Sequence, residues 1–484
     1  MAASRAHVRN LFLRLLGVIF LIAFVSLLPQ VTLLVGRQGL LPADVYLQAA
    51  RRFGGPLEFP SIFWLSCGDW ALRLAAVAGA AMSLGLMLNL APRYCLIVLW
   101  GLYLSFVTIG QDFFAFQWDN LLLESAFFAL FVTPAGLRPN DKAGPHPVAV
   151  FLMLWLVVRL HVESGAAKLL GGDPTWRDLT AMVSYYETAP LPTWVGWYAH
   201  QLPVWVHRLT ALFTYVVEIA SPMLIWGPRR LRAAVFCLMV TMQIGILLTA
   251  NYGFFNYLSI ALCLFVLDDG HLAWIAARFG RTLATVPPRS LDPGRAYLPA
   301  LGGLVLVAIS LVPFLPFLPV PPSLEGNLAP VRRVLDGYRS INAYHLFVQM
   351  TLVRREAVIE GSEDGVNWRA YEFRYKPGDP LRAPAFVAPY QPRLDFQMWF
   401  LLLGGRIQAL YFDHLLEELQ RDPQAVAAFF SRDPFPRDPP RFLRVAVYRY
   451  RFTDWQTRSA TGAWWRRELL GYSPVFKSES FGGR

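Results

Sequence analysis

Long apolar runs, rather than the short alternations of a soluble core, set the pattern over the first two thirds of the chain. Runs of about 17 to 25 apolar residues predict helices that cross a bilayer, because backbone polar groups in lipid must be paired within their own segment. Nine occur, through residues 12–34, 70–90, 94–110, 119–134, 148–169, 205–226, 231–249, 252–267 and 298–318; several are short, and eight is the alternative count. The first follows Arg5, Arg9 and Arg14 without a small-x-small cleavage site, which predicts an uncleaved first helix.

After Pro313, Pro316, Pro319, Pro321 and Pro322 the pattern changes. Residues 343–351, 355–361 and 366–375 have strand composition, and Ser362-Glu363-Asp364-Gly365 reads as a hairpin turn. Residues 393–431 predict short helices, with Asp422-Pro423 a helix start, and 442–455 returns to a strand. The Gly/Ser-rich end from Ser478 predicts disorder. The expected architecture is a polytopic α-helical membrane bundle of about nine transmembrane helices over 1–319, followed by a C-terminal α+β, β-rich soluble domain over 320–484.

Composition strengthens this reading. Of 484 residues, 55% are hydrophobic and 16% charged, against about 25% charged in an average soluble domain, and mean hydropathy is +0.39. A cytosolic enzyme is excluded. The net charge of +11 is spread over both halves, so it marks no nucleic-acid surface. With the amino end inside, the inner loops carry Arg93, Arg138, Lys142, Arg229, Arg230, Arg232, Arg278, Arg281, Arg289 and Arg295, whereas two outer loops carry no cation. That predicts N-terminus in and, with an odd count, C-terminus out. Cys67, Cys95, Cys237 and Cys263 include no C-x-x-C pair and read as small buried hydrophobes; no metal ligand set is expected.

Ionisable residues inside the predicted helices each need a partner or a role. The fifth helix carries Arg159, His161, Glu163 and Lys168, the fourth Asp119 and Glu124, and the sixth Glu218. Arg159 and Glu163, four apart, share a helical face and predict a buried pair. The acidic residues of the fourth and sixth helices are the further partners expected for Arg159 and Lys168. Together these groups predict either interhelical pairs that hold the bundle together or a polar intramembrane cavity. Lys168 in such a cavity is a candidate base; the structural alternative is a snorkelling lysine paired with Asp173. The Trp- and Tyr-rich loop from Gly171 to Pro203 predicts aromatic anchors on the outer leaflet.

The chain has no G-x-S-x-G, H-E-x-x-H, G-x-G-x-x-G or P-loop motif. It does carry QWDNLLLE (117–124), SGAAKLLGGDPTWRDLTAMVSYYETAPLPTWVGWYAHQLP (164–203) and NYGFFNYLSIALCLFVLDD (251–269). To these it adds VIEGSEDGVNWRAYEFRYKPGD (358–379) and APYQPRLDFQMWFLLLG (388–404). In these strings it resembles the lipase maturation factor family. The resemblance implies a polytopic membrane protein, in animals of the endoplasmic reticulum, whose luminal C-terminal domain helps secreted lipases fold and assemble. It also marks Asp173, Trp176, Tyr186, Glu187 and His200 as the family-motif loop. Lacking a retrieval signal and N-x-S/T sequons, and with 40 of its 44 cations Arg, the chain fits a bacterial inner-membrane member. A shorter stretch, GAAKLLGGDPTW, is similar to the membrane domain of vitamin K-dependent carboxylases, which implies for Lys168 the role of a base on a hydroquinone.

Two functions follow as expectations. One is a non-enzymatic maturation factor, without cofactor, whose partners are membrane lipids and a secreted lipase-like client. The other is a membrane enzyme acting on a quinone or lipid in the polar cavity, with Lys168 as base.

Overall fold

The structure is a computed structural model. It describes residues 4–139, 144–289, 297–318, 320–403, 409–436 and 438–477, so Lys142, Arg295, Pro319 and the tail from Ser478 lie outside the described residues. Its first part is helical: α1 (Ala6–Leu27), α2 (Asp69–Met87), α3 (Pro92–Ile109), α4 (Gln117–Val132) and α5 (Pro147–Leu170). A loop bearing α6 (Ala181–Thr188) and α7 (Trp194–His200) leads to α8 (Val204–Tyr215), which continues through a π-helical turn to Met223. There follow α9 (Arg229–Thr249), α10 (Phe255–Cys263), α11 (Asp269–Arg278) and α12 (Tyr297–Ser310).

Helices fall in all nine apolar runs, yet among the described residues only six are long and apolar enough to cross a membrane, or seven if a bent pair is one span. The count of nine is not reached for local reasons. Helix α4 has 16 residues, the run around α8 is interrupted by the π turn at Val216–Ala220, and Phe255–Val266 meets α11 at 104°. At that bend Asp268 caps α11, accepts from the guanidinium of Arg232 and lies 3.6 Å from Arg229. A charge cluster of this kind stops an apolar helix at the interface.

Small residues let α1 and α2 approach closely, as expected where lipid supplies no hydrophobic drive between helices. A Cβ at Gly79 would lie 2.5 Å from the Phe24 ring, and one at Gly17 2.8 Å from Met87. At one end of the bundle Asp269 accepts the backbone N–H groups of Ala6, His7 and Val8 at 2.8, 2.9 and 3.1 Å, and so closes the N-terminus of α1. At the other end Gln30, just beyond α1, donates to the carbonyl of Gln391 at 2.8 Å.

The C-terminal part opens with a helix, α13 (Pro322–Tyr338), where a β-rich region was expected. Residues 343–351 form no strand, because their backbone is engaged by the helical part: Tyr344 N–H donates to Glu163 and Met350 N–H to Asp173. The sheet begins with β1 (Arg354–Ser362) and β2 (Arg369–Phe373), joined by the expected hairpin, with Gly361 opposite Arg369. The short helices α14 (Arg393–Phe400) and α15 (Leu410–Arg421) follow, and Asp422 caps the turn Pro423–Val426. Strands β3 (Phe430–Arg432), β4 (Phe442–Phe452), β5 (Trp465–Tyr472) and β6 (Phe476–Lys477) complete it. All described pairings are antiparallel, in the order β3-β2-β1-β4-β5 with β6 beside β4. The apolar face of α15, Phe412, Leu415, Leu416 and Leu419, is buried in the core.

Candidate functional site

Helices α4 and α5 present their charges at the end of the bundle that meets the C-terminal part. Arg159 donates through Nε to Glu163 Oε1 at 2.9 Å and through Nη1 to Glu124 Oε1 at 2.6 Å, and its Nη2 donates to the carbonyl of Asn342. The second oxygen of Glu124 accepts from Asn342 N–H, Asn342 Nδ2 and the Tyr344 hydroxyl at 2.8, 3.0 and 2.7 Å. All these side chains are buried. One cation thus faces two carboxylates, whose remaining lone pairs are filled by donors from residues 342–344. Burying two acids beside one guanidinium is tolerable only with such donors.

Asp119 forms a separate site. Arg393, at the start of α14, donates to it through Nη2 at 2.8 Å and Nη1 at 3.0 Å; the Tyr103 hydroxyl donates to it as well. Arg393 also donates to the Phe113 carbonyl at 2.6 Å and lies 3.6 Å over the Phe114 ring. Fork-shaped pairing fixes direction as well as distance. The fork and the Arg159 network together clasp the C-terminal part to α4 and α5.

Lys168 belongs to neither site. Its ammonium sits 2.9 Å from each oxygen of Glu218 and 5.4 Å from the centre of the Trp176 ring. The alternative partner, Asp173, is occupied elsewhere: it accepts from Thr175 N–H and from Met350 N–H at 2.8 and 2.6 Å. His161 is also apart from Arg159, with Nδ1 2.8 Å from the Val157 carbonyl. The predicted polar cluster is therefore three sites rather than one, and neither Asp119 nor Glu218 pairs with Arg159.

The family-motif loop lies under the C-terminal part instead of forming a belt of anchors. Trp176, Tyr185, Tyr186 and Trp197 are buried, and only Trp194 and Tyr198 of that set are exposed. Trp176 Nε1 donates to the Phe347 carbonyl at 2.8 Å, and Glu187 accepts from Phe452 N–H at 2.7 Å. His200 packs edge-to-face on Phe452 with ring centres 5.5 Å apart and lies 3.7 Å from Glu187. Burial and the neighbouring His207 push the His200 imidazole down to about 4, and burial pushes the Glu187 carboxyl up. At neutral pH this contact is therefore not an ion pair. Tyr186 packs on His207 at 5.6 Å. Arg354, on β1, donates to the carbonyls of Glu187, Ala189 and Pro190 at the C-terminal end of α6, where a cation is favoured.

A cavity of about 310 Å³ lies between α5, α8, α9 and α10. His161, Lys168, Tyr186, Glu218, Asn256 and Phe255 are on its wall. The remaining polar expectations are simpler. Among the described residues no group of three or more His, Cys, Asp or Glu side chains is placed to hold a metal ion. Cys95 and Cys263 are buried as expected; Cys67 is half-buried and Cys237 exposed.

Comparison with known proteins follows the same division. Residues 7–274 match the lipase maturation factor transmembrane domain, and residues 340–474 match the lipase maturation factor C-terminal domain. The chain belongs to the lipase maturation factor family. Lipase maturation factor 2 of Homo sapiens is 34% identical over 599 residues, covering 100% of this chain and 84% of the human one. Lipase maturation factor 1 of Bos taurus is 32% identical over 510 residues, covering 98% and 90% respectively. No solved structure matches.

In this lipase maturation factor the clasp joins the two matched domains. Asp119, Glu124, Arg159 and Glu163 come from the transmembrane match; Asn342, Tyr344 and Arg393 come from the C-terminal match. The sequence reading found the first set and missed the second. The signal for Arg393 was a single cation between Pro392 and an apolar helix, in a string already noticed. Tyr344 gave no signal distinct from the strand expected over 343–351, and Asn342, just before it, gave none.

Proposed function

We propose that this integral membrane protein is a maturation factor that assists the folding and assembly of a secreted, lipase-like client, with its C-terminal domain on the outer or luminal side. Membership of the lipase maturation factor family, over nearly the whole chain, carries the reading. The orientation is supported by Arg5, Arg229, Arg232 and the Asp268–Asp269 cap gathering at the end of α1 opposite Gln30, where the C-terminal part attaches. A domain clasped by buried ion pairs offers a fixed surface to a client that is itself unfinished.

The surface we assign to the client is the β5 edge of the sheet, where no further strand pairs among the described residues. Strand β5 follows β4 at the end of the strand order, and Leu469, Leu470, Tyr472 and the nearby Val475 are exposed. An unpaired edge with apolar side chains offers main-chain hydrogen bonds to an extended segment. The test is secretion: deleting the gene lowers the activity and amount of secreted lipase or esterase, and a Leu470→Lys chain restores them less well than the wild type. Unchanged secretion of every esterase on deletion would defeat the proposal.

The enzymatic reading, with Lys168 as base on a quinone or lipid, has less support. Both oxygens of Glu218 hold the ammonium, so a free amine would first have to leave that pair.

A further inference from the structure

The cavity beside Lys168 has a chemistry that neither the clasp nor a client surface uses. Three polar atoms on its wall have no partner among the described residues, His161 Nε2, Asn256 Oδ1 and the indole donor Trp118 Nε1, in side chains that are almost wholly buried. Their character can be read from their other bonds. His161 Nδ1 faces the Val157 carbonyl, which only accepts, so Nδ1 carries the proton and the neutral ring presents Nε2 as an acceptor. Asn256 Nδ2 donates to Gln243 Oε1 at 2.7 Å, which leaves Oδ1 as a second acceptor.

Charge and access narrow the occupant further. The ionic groups on the wall, Lys168 and Glu218, neutralise each other through two 2.9 Å contacts, so the site offers no unpaired charge to an anion or a cation. The cavity reaches the outside at α9, where Thr241 and Gly245 are both lining and exposed. Only 17% of the apolar window of this helix is buried, so its outer face meets hydrocarbon. A Cβ at Gly245 would meet nothing within 4 Å. The remaining wall is largely aromatic and aliphatic, with Trp176, Phe213, Ile246 and Phe255. A volume of about 310 Å³ is at the lower end of small-molecule sites, roughly 300 to 1,000 Å³. That volume fits a head group and the start of a chain, with Thr241 and Gly245 at the mouth through which the rest of a tail would pass.

We propose that this cavity binds an uncharged membrane lipid with a free hydroxyl group, whose O–H donates to His161 Nε2 or Asn256 Oδ1 while its tail lies in the bilayer. Lipids that carry only ester or ketone oxygens can accept from Trp118 Nε1 but leave both acceptors of the wall unpaired, and so bind less tightly than an alcohol. The site stands independently of the client reading, since it needs no partner protein.

The test uses the purified full chain in nanodiscs and a diazirine-bearing C16 alcohol, with its methyl ether as control. The alcohol labels α5, α9 or α10 at least tenfold more than the ether, and unlabelled diacylglycerol competes where triacylglycerol does not. His161→Phe combined with Asn256→Leu, which removes both acceptors, lowers labelling at least fivefold. Gly245→Leu, which leaves the interior polar groups in place, lowers labelling by closing the mouth without changing the melting temperature. Equal labelling by alcohol and ether, or full labelling of a folded chain carrying both His161→Phe and Asn256→Leu, or of folded Gly245→Leu, would overturn the proposal. Loss of secretion without loss of labelling would bear on the client reading alone.

Discussion

Arg393 and Asp119, 274 positions apart, form a two-pronged ion pair at 2.8 and 3.0 Å with both side chains fully buried. The pair brings a residue of the C-terminal domain into contact with the first turn of α4. It makes attachment of that domain a property of the membrane bundle rather than of a linker.

Removing one partner of a buried pair costs about 3 to 5 kcal/mol, because the other charge is left uncompensated. Asp119→Leu should therefore lower the melting temperature of the detergent-solubilised protein sharply. Arg393→Leu should do the same and also free the Phe113 carbonyl. The double Leu variant should lose less than the sum of the two. A double-mutant cycle on thermal unfolding measures this, and strict additivity would show that the two charges are not coupled.

The Arg159 site should behave differently from a simple i,i+4 pair. Because Arg159 serves Glu124 as well as Glu163, Arg159→Leu with Glu163→Leu leaves Glu124 alone with its charge, and stability should not recover. Adding Glu124→Gln, which removes that charge and keeps an acceptor for the Asn342 and Tyr344 donors, should bring back much of the loss. The readout is again the melting temperature; recovery in the double variant would place Glu124 outside the network.

The sequence made one half of each interaction legible. Charges in apolar helices stand out because water is absent there, and four-residue spacing was enough to pair Arg159 with Glu163. Spacing carries no information about residues more than 180 positions away, so Asn342, Tyr344 and Arg393 could not be matched to their partners. The helix count of nine is not confirmed for a related reason: apolarity marks what lies in lipid but not where a helix breaks, as at Val216–Ala220 and Asp268. The loop aromatics were read as interfacial because composition cannot separate a ring covered by lipid from one covered by protein. The hairpin at Ser362–Gly365 was legible, since turn chemistry is local.

Lys168 and Glu218 give a prediction that separates structure from catalysis. Glu218→Leu alone strands a buried ammonium and should destabilise the fold, whereas Lys168→Met with Glu218→Leu should approach wild-type stability. If secretion of the client survives in the double variant, the lysine acts only as a paired cation. If it fails while the melting temperature is unchanged, Lys168 has a chemical role and the maturation reading must include it.

Asp395 supplies a pH dependence. Its buried carboxyl accepts from Tyr375 and Lys376 N–H at 2.8 and 3.0 Å, yet burial raises it from 3.8 to about 6. With the folded value above the unfolded one, the folded state holds the extra proton between about 4 and 6. The group's stabilisation is present below that window and lost as pH rises through it. Asp395→Asn keeps an acceptor for both amides and does not titrate. Its stability relative to the wild type should therefore grow between pH 4 and 6.5, by up to about 3 kcal/mol at 1.36 kcal/mol per unit, and then level off. Melting temperatures of both proteins at four pH values test this, and a gap that shrinks with pH would reverse the sign.

The end of α5 should show how closely the two domains are fitted. Gly171 caps this helix, its carbonyl accepts from Gln349 Nε2 at 2.8 Å, and a Cβ there would lie 2.2 Å from Val348 Cγ1. Its φ of −68° is open to any residue, so a substitution acts through crowding alone. Gly171→Ala must push residues 347–350 outward, weakening the Trp176 bond to Phe347 and the Asp173 bond to Met350. Overpacking of this kind costs about 1 to 3 kcal/mol. Cutting back the neighbour with Val348→Ala removes the nearer obstacle and leaves the Ala167 carbonyl oxygen at 2.8 Å, so the pair of substitutions should be more stable than Gly171→Ala alone without reaching the wild type. Limited proteolysis supplies a second readout, because residues 343–353 should be cut faster in Gly171→Ala than in the wild type and more slowly again in the double variant. Equal cutting of all three proteins would mean that this loop does not need its close fit to α5.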